Sequence, residues 1–274
     1  MKTLLAIHEV DGDLGDLKQL ISIARHAGAH LNVVVLGVVR IVPMTAAPGV
    51  PDFYYSETNS EMIEAGKARV TEIEALVAAE DVSATITLEC RDPALIEQTF
   101  LHHAMFCDAT LFANQSVLKS DLTTRAFNGA LLETGTPILV LGPDAETLPT
   151  VSTIMIAWNG EPQAAKAVHQ SLRWIEGEAE AHVVLVDPDE YTHGPNPGDD
   201  LATYLSRQGL KVTVDRLPGG RREVADVLLE RAVDINADLL VMGAYGHSRL
   251  REWLLGGTTR DILQKAQLPV LMAH

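Results

Sequence analysis

Two cysteines, Cys90 and Cys107, are all that a chain of 274 residues carries. That is too few for a disulfide framework or a zinc cage, and neither CxxC nor HExxH spacing occurs. Both read as small buried hydrophobes. Positive charge is scarce as well: 21 lysines and arginines face 37 acids, a formal net charge of -16. Nucleic-acid backbones and anionic lipid surfaces attract basic proteins, so neither nucleic acid nor membrane is expected as a partner. A local pocket can still hold an anion, because backbone amides act there at close range. Nothing approaches the roughly 20 consecutive apolar residues of a membrane span. The opening MKTLLAIHEVDGD has one lysine, a short apolar run and then acids, which reads as a first β-strand rather than a signal peptide. The cytoplasm is the expected location. Signatures of a nucleophile are missing too: no G-x-S-x-G elbow, no supported Cys/His pairing and no paired-carboxylate pattern.

What remains is an ordinary globular composition, 47% hydrophobic and 21% charged. The length suits two domains of about 130 to 150 residues, each able to bury a core. Short apolar runs alternate with longer amphipathic segments, the pattern of strands and helices taking turns in a parallel sheet. In the first half the expected strands are Thr3–His8, Leu31–Gly37, Ala84–Glu89, Ala109–Phe112 and Ile138–Leu141. Expected helices lie at Leu14–Ala27, Glu57–Ala79, Pro93–Phe106 and Thr123–Glu133. The second half repeats the order, with strands at Thr153–Ala157, His182–Asp187, Lys211–Val214, Leu239–Met242 and Val270–Ala273. Its helices are expected at Gln163–Ile175, Asp199–Gln208, Arg222–Asn236 and Thr258–Gln267. Most strands are uniformly apolar, as when helices cover both faces.

Residues agree between the halves as well as pattern. Cys107-Asp108-Ala109 sits where Ala237-Asp238-Leu239 sits, Thr123-Thr124-Arg125 matches Thr258-Thr259-Arg260, and Thr136-Pro137-Ile138-Leu139-Val140 matches Gln267-Leu268-Pro269-Val270-Leu271. Three matches in one order predict a tandem repeat. The expected fold is therefore α/β: two tandem doubly wound domains, each a five-stranded parallel sheet, covering 1–143 and 150–274. The linker from Gly142 to Pro149 is turn-rich and polar. The first half also has an extra stretch, Arg40 to Ser60, rich in Pro, Ala and aromatics, read as a long loop that either covers the first cleft or a domain interface or is a mobile surface loop.

Chemistry concentrates between Met242 and Gln264. Gly243 closes a strand, Gly246 follows, and Gly256-Gly257-Thr258-Thr259 opens a helix. Glycines let the backbone approach a phosphate, and amides at a helix start point at the anion with the helix dipole behind them. In an open parallel sheet such a loop lies at the ligand cleft, beyond the carboxyl ends of the strands. Glycines that merely end a strand and cap a helix are the bland alternative, but four glycines and two threonines favour a phosphate site. The spacing is neither that of the P-loop nor GxGxxG.

Gly243, two residues, Gly246, nine residues, Gly256, and then Pro269-Val270-Leu271 in the last strand resemble the universal stress protein family. The resemblance spans the chain as two copies, with the specific motif only in the second. It implies a Rossmann-like fold of the adenine nucleotide alpha hydrolase type and ATP, with or without Mg2+, as ligand. Loop amides and hydroxyls would hold the phosphates: Gly243, Gly246, His247, Gly256, Gly257, Thr258 and Thr259. Ala157, Asn159 and Val186 would hold the nucleoside. Two positions depart from the pattern. Gly257 replaces the hydroxyl residue after the third glycine, with Thr259 fitting a second hydroxyl position, and Asn159 replaces an acid, so it brings no charge for a metal. The resemblance also implies an intramolecular pseudo-dimer through the last strands, and further homodimerisation.

The first half replaces the glycines by Ala113, Ser116 and Asp121-Leu122, and its loop spans eight positions where Gly243 to Gly256 spans thirteen. Side chains and a repelling carboxylate oppose phosphate there, so that cleft is read as not binding nucleotide. Elsewhere, His247, Arg249 and Arg251 supply positive charge within the loop or a solvated face. His102-His103 reads as an ordinary helix face, Glu9 to Asp13 as an acidic turn, and Trp158 and Trp253 as residues flanking the cleft. The functional expectation is a stress-response regulator or sensor with at most slow ATP hydrolysis. Two readings stay open beside it: a structural or partner-binding protein with a vestigial loop, and a nucleotide-dependent transferase.

Overall fold

The computed structural model describes residues 2–40, 42–43, 53–54, 57–113, 117–143, 145, 151–175, 178–189, 196–244 and 257–274. By contact the chain forms two compact units, Met1–Phe112 with Ser116–Thr136, and Ala113–Gln115 with Pro137–His274.

The first unit is built on strands β1 (Thr3–Glu9), β2 (His30–Val38), β5 (Ala84–Arg91) and β6 (Ala109–Ala113). They run parallel in the order β6-β1-β2-β5, with Leu4 level with both Leu31 and Ala109. Two short strands, β3 (Val42–Pro43) and β4 (Phe53–Tyr54), pair antiparallel. The helices are α1 (Leu14–His26), α2 (Glu57–Ala79), α3 (Ile96–Ala104) and α4 (Asp121–Glu133). A 3-10 turn, Pro93–Leu95, precedes α3. Helix α2 starts at Glu57, so the end of the stretch read as a loop is helical. The rest of that loop lies mostly outside the described residues.

Local chemistry sets the helix ends. Asp13 accepts the amide of Gly15 at 2.8 Å and starts α1, while Arg25 and His26 in its last turn suit the negative end of the helix dipole. Leu4, Leu5 and Ala6 are fully buried because helices cover both faces of the sheet. Phe112 and Phe127 meet edge to face at 5.3 Å, and each buried ring contributes roughly 1.5–3 kcal/mol.

The second unit contains β7 (Ile138–Leu141), β8 (Thr153–Ala157), β9 (Glu180–Val186), β10 (Lys211–Leu217), β11 (Leu239–Gly243) and β12 (Val270–Ala273). Their order is β10-β9-β8-β11-β12-β7. Five run parallel, and β7 pairs antiparallel with β12, Leu139 opposite Leu271. The last strand of the first repeat thus groups with the second unit. Gly142 ends it where a Cβ would stand 2.2 Å from the Gln267 carbonyl oxygen, so no larger residue fits. The helices are α5 (Pro162–Ser171), α6 (Asp199–Arg207), α7 (Val224–Asp234) and α8 (Gly257–Lys265).

The matched aspartates do the same work in both repeats. Asp108 accepts the amides of Lys2 and Thr3 at 2.6 and 3.1 Å. Asp238 accepts those of Ser152 and Thr153, each at 2.9 Å. Each carboxylate ties the start of its repeat's first strand to the turn before its fourth. Among the described residues no helix is long and apolar enough to cross a membrane.

Candidate functional site

The second repeat's cleft forms where β8, β9 and β11 end and α8 begins. Ala157 closes β8, half-buried, and Trp158 follows with its amide bonded to the Val184 carbonyl at 2.9 Å. Asn159 is exposed, and its side-chain oxygen accepts the amide of Glu161 at 3.2 Å, shaping the turn into α5. Val186 ends β9, level with Leu217. Asp187 follows at φ 46°, held there by its amide on the Leu217 carbonyl and by the Gly219 amide on its carboxylate, 2.8 Å away.

Gly243 ends β11 against the first turn of α5. A Cβ there would stand 2.6 Å from the Ala164 nitrogen and 2.7 Å from Gln163 Cγ. Glycine is therefore demanded by packing at this position, whatever else it does. Gly257 is the reverse case: at the first turn of α8 a Cβ would meet no atom of the described residues within 4 Å. Thr258 beside it is half-buried, and Thr259 is buried. Gly246, His247 and Gly256 lie outside the described residues, as do Arg249, Arg251 and Trp253.

One residue absent from the sequence-based set stands out. Gln163, half-buried in the first turn of α5, has a buried side-chain nitrogen with no hydrogen-bond partner among the described residues. No local motif flags it, because its neighbour Gly243 is 80 positions away in sequence.

The corresponding cleft of the first repeat holds a cavity of about 300 Å³. Leu36, Met62, Pro93 and Ile96 give it apolar walls, and Glu9, Asp11, Asp121 and Arg125 its charge. Ser120 caps α4 by accepting the amides of Leu122 and Thr123 at 3.1 and 3.4 Å. Glu9 accepts the Thr123 hydroxyl, and Arg125 pairs with Asp121 at 2.9 Å. The amides that would greet a phosphate are occupied by a side chain, and the surrounding charge is mostly negative. Both features oppose an anion.

Other expectations resolve more simply. His103 reaches Glu89 on β5 at 3.2 Å, and among the described residues no group of three His, Cys, Asp or Glu is placed to hold a metal. Cys90 and Cys107 are half-buried rather than fully buried, since each ends up beside polar groups; burial still pushes both thiols up from their ordinary range. His8, on β1, is buried with an Nε2 that has no partner among the described residues, and desolvation, helped by the nearby Arg69 charge, lowers its pKa to about 4.

The comparisons with known proteins divide along the same line. The universal stress protein family model matches residues 150–274. A universal stress protein of Synechocystis sp. is 30% identical over 128 residues, covering 44% of this chain; the match spans only 42% of that relative's length. Among solved structures, a universal stress protein from Archaeoglobus fulgidus DSM 4304 superposes with a TM-score of 0.67 at 15% identity, covering 98% of this chain and 97% of the other. A protein of unknown function from Pseudomonas aeruginosa PAO1 gives 0.56 at 17% identity, covering 100% and 92%. At such identities these two speak for the fold. Residues 150–274 match the universal stress protein family model, and over 98% of its length the chain shares the fold of the Archaeoglobus fulgidus protein.

Proposed function

We propose that the second repeat binds an adenine nucleotide, ATP with or without Mg2+, and that the chain is a cytoplasmic stress-response regulator or sensor. The observation that carries this is that, among the described residues, nothing lies within 4 Å of a Cβ on Gly257 at the first turn of α8, at the carboxyl end of the parallel sheet. Helix-start amides with room in front of them fit an anion. The donor set fits as well: Thr258 is half-buried beside the opening, and neutral Asn159 stands where the first repeat has Glu9. The amides of the Gly243–Gly257 segment, with the hydroxyls of Thr258 and Thr259, would hold the phosphates. Ala157, Asn159 and Val186 would border the nucleoside.

When bound, the nucleotide supplies negative charge and binding energy that favour one state of the cleft. Hydrolysis at this site is slow at most, because an asparagine side chain at position 159 cannot serve as a general base. A structural role with a vestigial loop is the second reading. The close packing of Gly243 on Gln163 and Ala164 favours it, since it accounts for one motif glycine without any ligand.

Calorimetric titration with ATP and magnesium separates the two readings. One site per chain, abolished by Gly246→Asp, is the expected result. Two sites would mean that the first repeat also binds, and no heat up to millimolar ATP would leave the structural reading standing.

A further inference from the structure

We infer that the side-chain amide of Gln163 is a ligand contact of the second repeat, donating a hydrogen bond to a phosphate oxygen of the bound nucleotide. The inference rests on the nucleotide reading above and adds to it a residue outside the glycine motif.

Three observations converge on it. The Gln163 side-chain nitrogen is buried and has no hydrogen-bond partner among the described residues. Folded proteins rarely leave such a donor unsatisfied, and a ligand acceptor is one standard explanation for the exceptions. Its place is the second observation. Gln163 Cγ lies 2.7 Å from where a Gly243 Cβ would be, so the side chain packs on the residue that opens the glycine segment.

The third comes from the other repeat. Thr3 and Thr153 both start first strands tied to an aspartate, Asp108 and Asp238. At the helix starts that follow, Asp13 is the N-cap of α1 and Glu161 that of α5. Asp13 is an acceptor already used, capping α1 through the Gly15 amide at 2.8 Å. Gln163 is a neutral donor left unused, on a helix whose N-cap residue, Glu161, makes no side-chain capping bond. The start of α1 is thus closed by its own carboxylate cap, while α5 keeps an unused donor two residues past a Glu161 that makes no such bond. The positive end of the α5 dipole acts in the same direction as the amide.

A ligand presenting an anionic oxygen satisfies this donor; an apolar one does not. The test compares the wild type, Gln163→Ala and Gln163→Glu by calorimetry with ATP and, separately, adenosine, and measures Tm without ligand. Gln163→Ala should weaken ATP about tenfold, since hydrogen bonds to charged groups are among the stronger ones. Adenosine affinity should stay within about twofold, because it offers no phosphate. Unliganded Tm should hold or rise, since an unsatisfied buried donor has been removed. Gln163→Glu should weaken ATP further. If the wild type binds ATP and Gln163→Ala binds it equally well, or loses ATP and adenosine alike, the contact is refuted. A fall in unliganded Tm with unchanged affinity assigns the residue to packing and overturns the inference. Failure of the wild type to bind ATP strikes the nucleotide reading itself, a distinguishable result.

Discussion

The two clefts of this chain share a scaffold and differ in what they offer a ligand. In the first, Glu9 accepts the Thr123 hydroxyl and Ser120 occupies the amides of α4. In the second, Asn159 occupies the position of Glu9, Glu161 at the start of α5 makes no side-chain capping bond, and a Cβ on Gly257 would meet none of the described residues within 4 Å. The backbone plan is kept while the charge and the capping are inverted. Fold sets where a ligand can bind, and a few side chains at the strand ends decide which ligand that is.

The largest effect that would sharpen the contrast is at Gly243. Gly243→Val forces a side chain into the Gln163 and Ala164 backbone and should cost about 3 kcal/mol in urea denaturation. In the first repeat Ala113 ends the corresponding strand and already carries a Cβ while buried. If Gly243→Val is as stable as the wild type, packing does not require this glycine.

A smaller effect separates His8 from Trp158, which hold corresponding places after the first-strand threonines. The folded-state pKa of His8, about 4, lies below its ordinary 6.5, so the unfolded chain takes up the proton first. Stability from this group is complete above the ordinary value and is lost as pH falls from there toward the folded value. Its share of the loss is about 2 kcal/mol between neutral pH and about pH 5. His8→Leu should remove that share, read as a flatter dependence of urea stability on pH. An unchanged slope would place the acid sensitivity elsewhere.

The smallest effect tests the self-capped helix of the first repeat. Ser120→Ala should cost about 1 kcal/mol of stability. It should create no ATP site, because Asp121 and Glu9 still face the helix start. New ATP binding in this variant would show that capping alone had closed the first cleft.

Much of the architecture was legible in the sequence. Ile138–Leu141, Thr153–Ala157, Val270–Ala273 and the long helix Glu57–Ala79 fall where the apolar patterning places them. Strand β10 was expected to end at Val214, yet it runs to Leu217. Charged Asp215 and Arg216 look like a strand end in a pattern of apolar residues. Here Asp215 pairs with His182 and Arg231, and Arg216 with Asp199, so both are accommodated in the strand. The helix expected over Gln163–Ile175 is α only to Ser171 and finishes as a 3-10 turn, Leu172–Trp174.

Of the candidate site, the glycines and threonines could be read directly because backbone freedom and hydroxyls are properties of single residues. Gln163 could not, since its meaning comes from a neighbour on another strand and from the partner it lacks.

The sequence by itself determined the alternation of strands and helices, the doubling of the pattern, and the inequality of the two halves at their glycine positions. These depend on local periodicity and on residue type, which a short window of chain contains. Tertiary structure decided that β7 pairs with β12, that Glu9 meets Thr123 from 114 residues away, and that Gly243 presses on Gln163. Each joins groups far apart in sequence, and only the folded packing of strands and helices brings them within bonding distance.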